Sequence, residues 1–157
     1  MEPKIVCLDK MFLAGVVVYG NPHKGLFGQA WDIFLKIKEQ VKWKDDRKTY
    51  GVEFFTEEYD REKKWFYMVA MELPDLSEIP VNMVGKVIPA NTYAAFTVKG
   101  GIKNLPKTSQ YAHDEWLPKS QYEEADWFEF ELYDERFKDI DDPDTEIDIY
   151  IPIRKKS

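Results

Sequence analysis

A chain of 157 residues with 44% hydrophobic and 32% charged residues is long enough to bury one core and too apolar to stay disordered. Its net charge is −7, and the densest basic stretch (Lys36, Lys38, Lys42, Lys44, Arg47, Lys48) is interrupted by Glu39, Asp45 and Asp46, which argues against direct nucleic-acid binding. The lone Cys7 excludes an internal disulfide framework, no signal peptide precedes the first strand-like run, and no apolar stretch approaches the ~20 residues of a membrane span, so a soluble cytoplasmic protein without a membrane role is expected.

Residues 11–19, MFLAGVVVY, are β-branched and apolar and end in the turn Gly20-Asn21-Pro22. Phe27, Ala30, Trp31, Phe34, Ile37 and Val41 then recur at helical spacing and form one stripe. Tyr50 to Thr56 and Trp65 to Leu73 read as two strands joined by a polar hairpin connection. After a proline-punctuated link, in which Met83 to Ile88 can pair as an edge strand, the order returns. Asn91 to Val98 is a strand, Asn104 to Trp116 a helix with Leu105, Thr108, Ala112 and Trp116 on one face, and Trp127 to Tyr133 and Glu146 to Ile153 are strands.

The expected fold class is therefore α+β. A single domain, 1–157, carries duplicated strand–helix–strand–strand modules (pseudo-repeats about 1–75 and 88–157) in a mostly antiparallel sheet. Two helices should cover one face and leave the other as a ligand groove. Alternation along the predicted strand Trp127 to Tyr133 places Phe128, Phe130 and Leu132 on one side, expected under the helices. Trp127, Glu129, Glu131 and Tyr133 fall on the other side, expected to face the groove. The strand from Trp65 is apolar on both sides; Trp65 and Tyr67 carry polar handles and are assigned to the groove in preference to Phe66 and Met68.

A carboxylate among aromatic rings attracts planar cations, with cation–π contact adding roughly 0.5–2 kcal/mol per good ring. Partly protonated by burial, it serves instead as a general acid or base. Pairing of Glu129 and Glu131 with lysines on neighbouring strands is the plain structural alternative.

The ordered set Tyr50-Gly51-Val52, Ile88-Pro89-Ala90 before Tyr93-Ala94-Ala95-Phe96, Glu115-Trp116-Leu117-Pro118-Lys119-Ser120, Phe130-Glu131-Leu132-Tyr133 and IDIYIPI at 147–153 resembles the gyrase-inhibitor-like (GyrI-like) small-molecule-binding family. That family is similar to the ligand-sensing domains of multidrug-responsive transcription regulators. The resemblance implies two modules around a central groove and a groove glutamate that contacts ligand, best matched by Glu131 with Glu129 its neighbour. It also implies a stand-alone member, since no segment is left over for a DNA-binding domain. Expected ligand contacts are Trp65, Tyr67, Tyr111, Trp116, Trp127, Glu129, Glu131 and Tyr133. Some stand-alone relatives hydrolyse cyclopropane-bearing DNA alkylators, which would make Glu131 the acid or base and Tyr67, Tyr133 or Tyr111 its phenol partner.

No cofactor is expected. His23 and His113 lie in no metal-ligand spacing, neither they nor Cys7 has a context for haem, and Ser109 lacks a histidine partner. Gly100-Gly101 is a turn signal, and the acidic stretch from Asp134 to Glu146 reads as a solvated loop rather than a calcium site. Three readings remain: a binder of planar aromatic molecules, a hydrolase acting on a bound toxin, and a protein-interaction module. Either a monomer or a dimer suits all three.

Overall fold

The computed structural model describes every residue from Met1 to Ser157. The chain groups into two compact units, one of Lys10–Pro89 and one of Met1–Asp9 with Ala90–Ser157. The first is called here the N-terminal unit and the second the C-terminal unit. Each contains the expected strand–helix–strand–strand order within an antiparallel sheet, and the α+β class is as expected.

In the N-terminal unit, β2 (Met11–Gly20), β3 (Thr49–Phe54), β4 (Trp65–Leu73) and β5 (Val84–Ile88) form the sheet in the order β3-β4-β2-β5. The edge strand foreseen after Met83 is β5, paired antiparallel to β2 with Met11 opposite Ile88. Helix α1 (Leu26–Ile37) follows β2 and lays its stripe on the sheet, so that Ala30 and Phe34 are fully buried against Tyr67, Val69 and Met71. A four-residue turn of helix, α2 (Tyr59–Glu62), sits in the connection from β3 to β4.

In the C-terminal unit, β1 (Lys4–Leu8) pairs with β6 (Asn91–Lys99), β6 with β9 (Glu146–Lys155), and β9 with both β8 (Phe128–Tyr133) and the short β7 (Tyr122–Glu124). The first nine residues group with the C-terminal unit, because β1 finds its partners 83 to 91 positions away, Ala94 and Ala95 lying opposite Ile5 and Lys4. Helix α3 (Leu105–Tyr111) continues into a π-helical turn, Ala112–Trp116, and a last turn, α4 (Leu117–Lys119).

Register corrects the expected assignment of faces. Residues opposite each other in an antiparallel pair point the same way. Glu131 lies opposite Ile149, and Ile149 opposite Phe96, whose ring meets Tyr111 and Trp116 of the helical segment edge-on at 6.4 and 5.4 Å. The face carrying Glu129, Glu131 and Tyr133 is therefore the helix face. Phe128, Phe130 and Leu132 point the other way, where Phe130 stacks on Tyr150 (4.7 Å, 11°) and Tyr93 packs edge-on against Phe128, Phe130 and Tyr150. Apolarity misled because both faces of β8 are buried throughout, so the greasier side does not mark the helix. In the N-terminal unit, Tyr67 likewise lies under α1.

Backbone crowding fixes one glycine. A Cβ on Gly15 of β2 would fall 1.8 Å from the Val69 carbonyl oxygen and 2.7 Å from the Ala70 Cα of β4, neither of which can swing aside. Gly15→Ala should force the two strands apart and lose about 2–3 kcal/mol, in the range of overpacked cores. For a domain of this size that lowers Tm by roughly 5–10 °C. Calorimetry of the variant checks it; an unchanged Tm would mean that the strands separate freely.

Candidate functional site

The helix face of the C-terminal unit holds two acids out of water. Glu129 is 7% exposed and Glu131 8%, on alternate positions of β8 and followed by the buried Tyr133. Leaving a carboxylate there uncompensated is costly.

Glu129 is compensated by His113. Its Nε2 lies 2.8 Å from the Glu129 carboxylate, while Nδ1 lies 2.7 Å from that of Glu124 on β7. Burial disfavours the imidazolium, but the hydrogen bonds to Glu124 and Glu129 and their charges outweigh it and raise the His113 pKa to about 10. With both nitrogens protonated, the ring donates to both acids. Glu129 pairs with a histidine from the helix, not with a lysine from a neighbouring strand.

The π turn explains why His113 reaches inward. Pro118 has no N–H to give the Asp114 carbonyl, and the Leu117 N–H donates instead to Ala112, five residues back. The wider turn departs from the 3.6-residue period of the stripe Leu105, Thr108, Ala112 and Trp116. The sequence pattern alone assigns His113 no partner. The local signal that could have found its role is the proline four residues after Asp114.

Tyr111 and Trp116 come together with Tyr122 at a second place on this unit. They line an open pocket of about 450 Å3 with Glu2, Glu115 and Lys119. Trp116 and Tyr122 are nearly parallel there (6.1 Å, 17°), and the Tyr111 hydroxyl donates to the Met1 carbonyl at 3.0 Å. Trp127 precedes β8 and is 59% exposed. The stretch after β8 is more ordered than a solvated loop: Arg136 grips Asp134 at 2.9 Å and Asp148 at 2.6 Å, and these bonds hold its guanidinium firmly charged.

Trp65 and Tyr67 lie in the N-terminal unit within an aromatic group of its own. Tyr67 stacks on Phe27 (4.2 Å, 5°), and its hydroxyl accepts from the Trp31 indole at 3.0 Å. Trp65 meets Phe27, Phe55 and Tyr59 at 5.6, 5.9 and 5.4 Å.

Repeated strand–helix–strand–strand units, with acids and aromatic rings buried on the helix face, define an α+β domain of the effector-binding class. The chain belongs to the family of integron-associated effector binding proteins (Cass2), which it matches over residues 4–153. It is 28% identical over 154 residues to the transcriptional regulator BrlR of Pseudomonas aeruginosa, covering 98% of this chain and 56% of BrlR. The chain thus spans little more than half the length of that curated relative. Among solved structures it resembles SAV2435 bound to tetraphenylphosphonium, with TM-score 0.77 and 16% identity over 98% of this chain and 94% of that one. It also resembles the integron cassette protein VCH_CASS2 of Vibrio cholerae, with TM-score 0.68 and 16% identity over 98% and 96%. These two likenesses establish the fold, and the family bears out the expected kinship with effector-binding domains. No helix is long and apolar enough to cross a membrane.

The His113 bridge has a definite pH signature. A histidine whose folded pKa is raised contributes stability in full below its ordinary value near 6.5, and loses it as pH climbs through the folded value of about 10. The Tm difference between the native chain and His113→Gln should be largest near pH 6 and close by pH 10 to 11. A difference that grows from pH 6 to 10 would show that the ring is neutral in the fold.

Proposed function

We propose that this domain captures aromatic organic cations, with Glu131 as the charge that selects them. The observation that carries the reading is the burial of Glu131, 8% exposed, on the helix face of β8 with Glu129 and Tyr133 on either side of it. An acid shielded from bulk water interacts with a cation more strongly than an exposed one does. Delocalised, weakly hydrated organic cations lose the least on leaving water. Glu129 is held by the His113 imidazolium, and Glu131 is the second buried carboxylate of this face.

Tyr133, two positions along on the same side, supplies ring contact, and Tyr111 and Trp116 are proposed for the same role at their pocket on this unit. Trp65 and Tyr67 are proposed as ring contacts on the N-terminal unit. The binding of tetraphenylphosphonium by SAV2435, a protein of the same fold, supports this ligand class. A free, exposed Cys7 is in keeping with a reducing cytoplasm as the place of action.

Titration with tetraphenylphosphonium, followed by tryptophan fluorescence and by Tm, tests the reading. Saturable quenching with a rise in Tm is expected. Glu131→Gln should weaken binding at least tenfold, equivalent to about 1.4 kcal/mol, while neutral triphenylphosphine oxide is held equally by both proteins. Absence of saturable binding, or equal affinity for the cation in the two proteins, would rule it out.

A further inference from the structure

The pocket beside the helical segment of the C-terminal unit carries charges of its own. Its volume is about 450 Å3, and Tyr111, Trp116 and Tyr122 line it together with Glu2, Glu115 and Lys119. The three rings are half-buried, unlike Tyr93, Phe96 and Phe130 of the same unit, which are at most 1% exposed. Rings that only filled space would be closed over in the same way. The lining also leans negative, with two carboxylates against one ammonium, and all three are exposed side chains.

Local hydrogen bonds fix the rings in place. The Ser120 N–H donates to the Trp116 carbonyl at 3.0 Å, and the Tyr122 N–H donates to the Ser120 hydroxyl oxygen at 3.0 Å. The turn between the two aromatic residues is thus set, and Tyr122 is also held in β7 opposite Lys155 of β9. On the other side the Tyr111 hydroxyl, by donating to the Met1 carbonyl, ties the segment that bears Glu2 to the helix. A site so preorganised loses little entropy when it is filled.

The spacing of the rings selects the shape of the guest. A planar ring between two others needs about 7 Å, twice an ordinary carbon contact of about 3.5 Å. Trp116 and Tyr122 are nearly parallel with centroids 6.1 Å apart, so no flat molecule slides between them. A compact, near-spherical cation can instead rest against several rings at once, which is how aromatic cages hold methylated ammonium groups.

We propose that this pocket binds a small quaternary ammonium compound, its methyl groups against Tyr111, Trp116 and Tyr122 and its charge balanced by Glu2 and Glu115. In the aromatic-cation reading Tyr111 and Trp116 supply ring contact alone. Here the pocket is a separate site with its own acids, and its selection does not depend on Glu131.

Choline and 3,3-dimethylbutan-1-ol have nearly the same shape and differ in charge. Choline should bind saturably, with its methyl resonance moved upfield by the ring currents, and the neutral alcohol should bind about fivefold more weakly. Amide resonances that move on titration should cluster at residues 2–5 and 111–122. Tyr122→Leu should weaken choline binding about tenfold. Glu2→Gln combined with Glu115→Gln should weaken it about fivefold and remove most of its salt dependence. Both acids are exposed, so this double variant should keep the native Tm, which separates lost binding from lost folding. Choline that fails to saturate, equal affinities for choline and the alcohol, moving resonances elsewhere, or undiminished binding by the double variant would overturn the proposal. Tetraphenylphosphonium titrated in parallel keeps the two ideas apart. Its binding with choline refused sinks the quaternary-ammonium site and leaves the Glu131 reading standing, and choline binding with tetraphenylphosphonium refused does the reverse.

Discussion

Placing glutamates on a buried stretch of β8 constrains everything around them. A carboxylate so shielded is tolerated only beside a compensating charge or donor, and for Glu129 that group is a histidine brought in from the helical segment. His113 sits in the π turn at Ala112–Trp116, and the missing N–H of Pro118 makes an ordinary α turn incomplete at that point. The same ring holds Glu124, so β7, β8 and the helical segment are tied through one side chain. Because two acids hold the ring charged up to about pH 10, the imidazolium form prevails under neutral conditions.

The opposite face of the same sheet is organised by rings. Tyr93, fully buried, meets Phe128, Phe130 and Tyr150 edge-on, and burial, with the charge of Asp126 adding to it, pushes its phenol up to about 12. At one end of this face Asp148 accepts from both Thr97 at 2.7 Å and Arg136 at 2.6 Å, which joins β6, β9 and the segment after β8. Aromatic abundance therefore has two uses in this unit: rings on one face fill space, and rings on the other accompany acids. The N-terminal unit puts its own rings, Phe27, Trp31 and Tyr67, in the seam between α1 and β4.

That dual use explains which features were legible in the sequence. The order of strands and helices followed from β-branched runs, helical stripes and turn residues, and even the edge strand β5 showed itself after Met83. Selection of Glu129, Glu131 and Tyr133 as one face followed from simple alternation. Which face met the helix was not legible, since Phe130 and Glu131 are both buried and the usual contrast of greasy and wet sides is missing. The His113 bridge was hidden for a different reason: its partners lie 11 and 16 positions away, and the π turn breaks the period by which helical faces are counted. The place of β1 was hidden as well, because pairing with β6 is a long-range choice that strand propensity does not specify.

The His113 bridge also bears on what each acid can do chemically. A general base needs a lone pair aimed at the proton it removes, within hydrogen-bond reach. The carboxylate of Glu129 already accepts from a charged donor, and breaking that bond would leave both an acid and an imidazolium poorly solvated. Glu129 is thus a fixed part of the framework. Glu124, His113 and Glu129 together carry a net charge of −1, and Glu124 is the most exposed of the three. Glu131, the other buried acid of this strand, is the one proposed above to select a cation. Capture and turnover demand different things of such an acid. Capture needs the charged form held steadily against a ligand, whereas turnover needs an acid that changes protonation while its neighbours stay still. The tie through His113 fixes Glu129 two positions along the strand, and Glu131 is the proposed position at which binding and chemistry are told apart.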